Sequence, residues 1–272
     1  MTGTPLIVTA DDYGLTDATC RAILEAHELG VVTATSALAV APGIERRLAL
    51  VDGGGSLSVG VHLALVGEDR PLLSRAEIPT LVDGEGRFAA SWRQLLPRLA
   101  ARRVDPDDVR RELDAQIQRV AAQVEPTHLD SHQHLHLWPS VASVVVDLAV
   151  QHRIGAVRVP RSTQTGLRAR AIDRLARRLA ARIDAAGLAR TERFCGLDEA
   201  GGWSAARLEA VLEALARTTG SVECNVHPGA HDDPERARFA WDYRWGEERD
   251  ALVGPALRRT IDRLGFELVG RR

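Results

Sequence analysis

The sequence predicts a distorted (β/α) barrel of seven or eight mostly parallel strands, built as one domain over residues 1–272. Three observations predict it. Apolar strand-like runs alternate with helix-like segments almost throughout, which implies a parallel sheet with right-handed crossovers. The length of 272 residues suits such a barrel, which takes about 250. No Gly-x-Gly-x-x-Gly follows the first strand, so an open dinucleotide-binding sheet loses its main support.

Residues 6–10 read as a short first strand. Residues 17–29 have helical spacing through Ala18, Ile23, Leu24 and Ala26, with Thr16 or Asp17 as cap and Gly30 as stop. A second strand is expected over 33–40, a short helix over 44–51 ended by Gly53-Gly54-Gly55, and a third strand over 57–63. Residues 67–88, punctuated by Pro71, Pro79, Gly84 and Gly86, read as a long loop or small lid. A helix follows over 92–102. Asp105-Pro106 then opens a longer helix to about residue 123, a cap followed by proline at the first helical position. Further strands are expected over 127–133, 156–159, 192–195, 221–226 and 266–269. The helices between them cover 139–152, the Arg/Ala-rich 166–186, 205–218 and 247–264. Loop and helical excursions from the barrel fall near 64–100 and 160–195.

Composition narrows the class. Hydrophobic residues make up 45% and aromatics only 4%, so aliphatic side chains must fill the core. Lys and Arg number 35 against 37 Asp and Glu, and the net charge of −2 gives no electrostatic reason to expect nucleic acid or an anionic membrane as partner. No basic stretch followed by a long apolar core opens the chain, so no signal peptide is expected. No apolar run is long enough for a membrane span. The three cysteines, Cys20, Cys195 and Cys224, form no metal knuckle or disulfide framework and read as small buried hydrophobes in a cytoplasmic protein.

In such a barrel the site sits at the carboxyl ends of the strands. Asp11 and Asp12 follow the first strand, and His62 lies at the end of the third. Asp130 and His132 end the fourth, Arg158 ends the next, and His227 follows the run 221–226. Five strands thus carry an ionisable residue at the same end, where chance would scatter them. Of the adjacent pair Asp11-Asp12, one carboxylate can ligate a metal while the other faces its water; a solvated turn capping the next helix would also use such a pair. Four histidines fall within 128–136, and neutral imidazole is a common ligand for Zn²⁺ and similar ions. Asp130 or His132 would face the barrel axis, with His134 and His136 beyond it. A lone His62 in an apolar strand is ordinarily a core residue, and becomes a ligand candidate only in this company. Asp12, His62 and His132 together would leave coordination positions open, the form of a catalytic rather than a structural site. Pro228-Gly229 would aim His227 into the mouth as an acid or base.

At these residues the sequence resembles the YdjC-like carbohydrate deacetylases, a family that includes chitooligosaccharide deacetylases and a hopanoid-biosynthesis branch. The resemblance is carried by Leu6-Ile-Val-Thr-Ala-Asp-Asp-Tyr-Gly14, Gly60-Val-His-Leu63, Thr127-His-Leu-Asp-Ser-His-Gln-His-Leu-His136 and Asn225-Val-His-Pro-Gly229. It implies a barrel of the glycoside hydrolase/deacetylase type and hydrolysis of the N-acetyl group of an amino sugar. It also implies one divalent metal ion, Mg²⁺ or Zn²⁺, on Asp12, His62 and His132, with Asp11 as base and His227 as acid. A homodimer is plausible by the same resemblance. Gln133 stands where many members have a further His and is expected to face outward. Asp130, Arg158, His134 and Trp241 are candidates for orienting a ligand or touching substrate. Trp241 belongs to the alternating aromatics Phe239, Trp241, Tyr243 and Trp245, which would either stack on a sugar or anchor the last loop. Two rival readings stand beside this one: another metal-dependent amidohydrolase or phosphoesterase on the same barrel, and a non-catalytic metal- or sugar-binding protein.

Overall fold

The computed structural model describes residues 3–51 and 55–271. Strand β1 (Thr4–Tyr13) organises them: every residue from Leu6 onward is buried, as a run apolar on both faces must be when it lies inside a parallel sheet. It pairs in parallel with β2 (Ala34–Ala37), β7 (Val222–Val226) and β8 (Phe266–Leu268). With β3 (Ser58–Leu63), β4 (His128–Ser131), β5 (Ala156–Val157) and β6 (Arg193–Cys195), the sheet runs β5-β4-β3-β2-β1-β7-β6, and β8 joins on β1. Each pairing is parallel, so each strand's carboxyl end opens on the same side.

The sheet curls into a barrel that is incomplete between β5 and β6. Among the described residues no ladder joins them. A single parallel bridge, Ala156 with Ala189, crosses the seam, made by the Val157 N–H to the Ala189 carbonyl at 3.1 Å and the Ala189 N–H to the Gly155 carbonyl at 2.8 Å.

The helices are α1 (Asp17–Glu28), α2 (Ile44–Leu48), α3 (Trp92–Ala100), α4 (Pro106–Ala121), α5 (Pro139–Gln151), α6 (Leu167–Ala185), α7 (Ala205–Leu215), α8 (Trp245–Val253) and α9 (Pro255–Arg263). Thr16 caps α1 by accepting the Thr19 N–H, and Asp105 caps α4 by accepting the Asp107 N–H. Among the described residues no helix is long and apolar enough to cross a membrane.

Three local expectations are corrected. The first strand extends beyond residue 10, so Asp11 and Asp12 lie inside β1 and not after it. The fourth strand stops at Ser131, whose hydroxyl accepts the His136 N–H at 3.0 Å and draws 132–137 into a short 3-10 turn. The expected helix over 247–264 is two helices: Pro255 has no N–H to continue the first, and holds Gly254 extended at ψ 134°. The glycine stop after α2 falls partly on Gly53 and Gly54, which lie outside the described residues.

The excursion over 64–91 is irregular, as expected, but it is anchored to one face of α4. Buried Glu112 accepts the N–H groups of Leu72 and Leu73, Gln116 holds both backbone groups of Ala64, and Asp108 accepts from Thr80.

One glycine is dictated by packing. A Cβ on Gly60 would stand 2.5 Å from the buried His128 ring. Gly60→Ala is expected to destabilise the protein by about 1–3 kcal/mol through overpacking, read as a lowered thermal midpoint. An unchanged midpoint would show that His128 can yield.

A buried candidate metal centre at the strand ends

The strand ends bring Asp11, Asp12, His62, Asp130, His132, Arg158 and His227 together, with every one of these residues buried. In a regular strand Asp11 and Asp12 would point to opposite faces. Asp12 instead takes a left-handed backbone conformation, φ 64°, and the β1–β2 register shifts between Ala10 and Tyr13. Such a conformation costs a non-glycine residue on the order of 1–3 kcal/mol and is found where function over-determines the backbone. It lets both carboxylates reach the same imidazole: Asp12 Oδ1 is 3.4 Å from His62 Nε2, and Asp11 Oδ2 is 3.8 Å from His62 Nδ1.

Asp12 Oδ1 also lies 3.3 Å from His132 Nδ1, yet it is buried without a hydrogen-bond partner. His62 Nδ1 is bound to Asp130 Oδ1 at 2.7 Å, which leaves Nε2 turned toward Asp12. A carboxylate fixing the far nitrogen of an imidazole is the usual support of a metal-ligating histidine. Asp12, His62 and His132 offer one ligand atom each, all within 4.8 Å of one another.

Electrostatics suit a cation there. Burial opposes the charge on His62, but Asp11 and Asp130 raise its pKa to about 9. Burial likewise works against Asp12, whose pKa is nevertheless held below the usual carboxylate range by His132 and His62. Such a pocket holds a surplus of negative charge.

A second grouping, Asp11, His62 and Asp130, has comparable spacing. Its place is taken. The Arg158 guanidinium donates to both oxygens of Asp11 at 2.7 and 2.8 Å and reaches Asp130 at 2.8 Å. Its Nε donates to Glu223 at 2.8 Å. A guanidinium already supplies the positive charge, which weighs against a two-metal centre. Ser36 adds a hydroxyl to Asp11 at 2.9 Å.

His227 follows β7. Its backbone N–H donates to Glu248 at 2.7 Å, its ring stands edge-on to Tyr243 at 5.0 Å, and its Nδ1 is buried without a partner. Burial holds its pKa below the usual imidazole value. The Trp241 ring stacks on His132 at 5.0 Å and its indole N–H donates to Glu68 at 3.0 Å, so the aromatic segment meets the 64–91 excursion directly over the candidate ligand.

The profile of the YdjC-like protein family matches residues 5–263. The chain belongs to that family. A chitooligosaccharide deacetylase of Proteus mirabilis is 30% identical over 271 residues, covering 97% of this chain and 96% of that protein. A carbohydrate deacetylase of Brevibacillus brevis is 38% identical over 156 residues, which are 57% of this chain but only 59% of that protein. In fold, this YdjC-like chain matches the crystal structure of an Enterococcus faecalis protein described as a cellobiose-phosphate cleavage protein. The TM-score is 0.82 at 24% identity, covering 99% of this chain and 98% of that one.

Some YdjC-like residues do not join the group around Asp12. His134 turns away at φ 54° to pack on Phe194 and His136. His136 is held by Ser131 and the Arg158 carbonyl. Gln133 does not simply face outward: its amide oxygen accepts the Trp92 N–H at 2.8 Å, tying the excursion to the turn that carries His132. Ser36, Glu223 and Glu248 went unnoticed in the sequence. Each had a faint signal, a polar residue within a buried strand or helix. Arg271, paired with Glu223, had none. Cys195 and Cys224 are register partners on β6 and β7 although distant in sequence, and both are free and buried.

Proposed function

We propose that this chain is a metal-dependent deacetylase that hydrolyses the N-acetyl group of an amino sugar. The carrying observation is Asp12 Oδ1, buried and unpartnered between two imidazoles. An orphaned carboxylate oxygen is costly, and a cation held by Asp12, His62 and His132 would satisfy it. The names of the relatives supply the substrate class.

The donor set fits Zn²⁺ or another transition ion better than Mg²⁺, which prefers oxygen ligands. When bound, such an ion supplies Lewis acidity, lowering the pKa of water from about 15.7 toward roughly 7 and polarising the acetyl carbonyl. The remaining work falls to the chain. Asp11, kept ionised by Arg158 against the pull of burial, takes a proton from the attacking water. Arg158 and Ser36 hold that carboxylate in one orientation. His227 hands a proton to the departing amine, a step worth about 10²–10⁴ in rate. Burial leaves His227 neutral at rest, so the proton it donates is taken up from solvent before the amine departs, and Asp11 returns its own proton to solvent afterwards. Trp241, stacked on His132 and Trp245, and Tyr243, edge-on to His227, exclude water around the ligand candidates. The workplace we infer is the cytoplasm, with residues 1–272 acting as one domain and a homodimer as the assembly.

Acetate release from a panel of N-acetylglucosamine compounds tests this. Release is expected to stop on chelation and return when Zn²⁺ is restored. Release that survives complete metal removal would refute the metal, and silence across the panel with metal bound would refute the deacetylase.

A further inference from the structure

We propose that the cavity at the β5–β6 seam is a binding site for a compact oxyanion, of the size and charge of phosphate, carried on a small organic body. The proposal goes beyond the hydrolytic site and does not depend on it. The cavity encloses about 580 Å³, within the roughly 300–1,000 Å³ of small-molecule sites. Its walls come from the chain just after β5 and from β6, which no ladder joins among the described residues.

Three guanidiniums face it: Arg161 beyond β5, Arg193 opening β6, and Arg207 on α7. Two carboxylates, Asp173 and Glu199, also line it. Glu199 is already engaged, accepting the Thr163 hydroxyl at 2.6 Å and the Gly196 N–H at 3.0 Å. Arg207 stands 3.9 Å from Glu199, too far for a hydrogen bond, and covers the Trp203 ring. Among the described residues Arg161 and Arg193 make no ion pair, and Arg161 Nε is buried without a partner. Burial, together with Arg190, Arg193 and Arg177, lowers the pKa of Arg161 against the pull of Asp173. Positive charge is in excess along this lining, three guanidiniums against two carboxylates, one of them already engaged. Guanidinium matches the planar, two-pronged geometry of phosphate and carboxylate better than any other side chain.

The turn that carries Arg161 is itself built. Asp198 accepts from the Ser162 hydroxyl at 2.6 Å and the Thr163 N–H at 2.7 Å. The lining also carries apolar side chains: Phe194, next to Arg193 on β6, and Val211 and Leu215, which continue the Arg207 face of α7 at helical spacing. An anionic head on the arginines would place its organic body against these side chains.

Inorganic phosphate, titrated calorimetrically into the full-length, metal-loaded protein, provides the test. One saturable site is expected. Arg161→Ala with Arg193→Ala should weaken it by roughly tenfold or more, since charged hydrogen bonds are being removed. Arg161→Lys with Arg193→Lys should restore part of the affinity. Hydrolysis of an uncharged N-acetyl sugar should be unchanged in both variants. Competition with an uncharged N-acetyl sugar that persists undiminished in the alanine variant would place the phosphate on the metal and overturn the proposal; a wild-type site that the alanine substitutions weaken supports it. Absence of saturable binding, or equal affinity in the wild type and the alanine variant, would overturn the proposal. Acetate release is read separately, so failure of one reading leaves the other standing.

Discussion

Asp12→Asn is expected to cut acetate release by at least about 10²–10³-fold, the scale on which a single electrostatic stabiliser of a developing oxyanion acts, while leaving the metal-free fold intact. The two halves of this result have one cause. Asparagine keeps the shape of the side chain and tolerates the left-handed backbone at φ 64°, so packing survives. It removes the negative charge that faces His62 and His132 at 3.4 and 3.3 Å. Thermal midpoints separate binding from folding. A cation at 100 times its Kd stabilises a native state by about 2.7 kcal/mol, so added Zn²⁺ should raise the wild-type midpoint and leave that of the variant unmoved. A variant that binds Zn²⁺ and hydrolyses substrate like wild type would show that Asp12 is no ligand.

The ligand candidates were legible because barrel geometry and hydrophobic pattern coincide. Apolar runs mark the strands, and a charged residue at the end of such a run has few bland explanations when its neighbours repeat it. Asp11, Asp12, His62, Asp130, His132 and His227 all follow that logic. The supports were less legible for a physical reason: a partner across the barrel has no sequence spacing. Glu223 alternates with apolar residues on β7, but its partner Arg158 lies 65 positions away. The Asp108, Glu112 and Gln116 face of α4 shows helical spacing in the sequence, yet it resembles a solvated stripe, because what it binds in the excursion is chiefly backbone, together with the Thr80 hydroxyl. Gln133 was misread through its neighbours: a strand extrapolated past Ser131 puts it outward, whereas the turn at φ 53° brings it to Trp92. The break at Pro255 could have been seen from proline chemistry alone.

Arg158→Met is expected to cost about 3–5 kcal/mol, the usual penalty for removing one partner of a buried charge network. In a protein of this size that lowers the thermal midpoint by roughly 10 °C. The guanidinium serves Asp11, Asp130 and Glu223 at once, and methionine would leave these carboxylates buried with too little compensation. The pH dependence should change sign. In the wild type, burial works to raise the pKa of Glu223, and Arg271 and Arg158 overcome it, holding the group at about 2; Asp11 and Asp130 are likewise depressed. Carboxylates depressed in the folded state contribute stability above their unfolded pKa of about 4. That stability is lost as pH falls toward 2. In the methionine variant Glu223 keeps Arg271, but Asp11 and Asp130 lose the guanidinium that depresses them and should titrate above their unfolded values, so stability should rise as pH falls from 8 to 5. Arg158→Lys keeps the charge but cannot span three carboxylates, and should fall between the two. Denaturant midpoints of the three proteins across pH 2–8 would test the network, and parallel curves for wild type and Arg158→Met would show that these charges do not depend on the arginine.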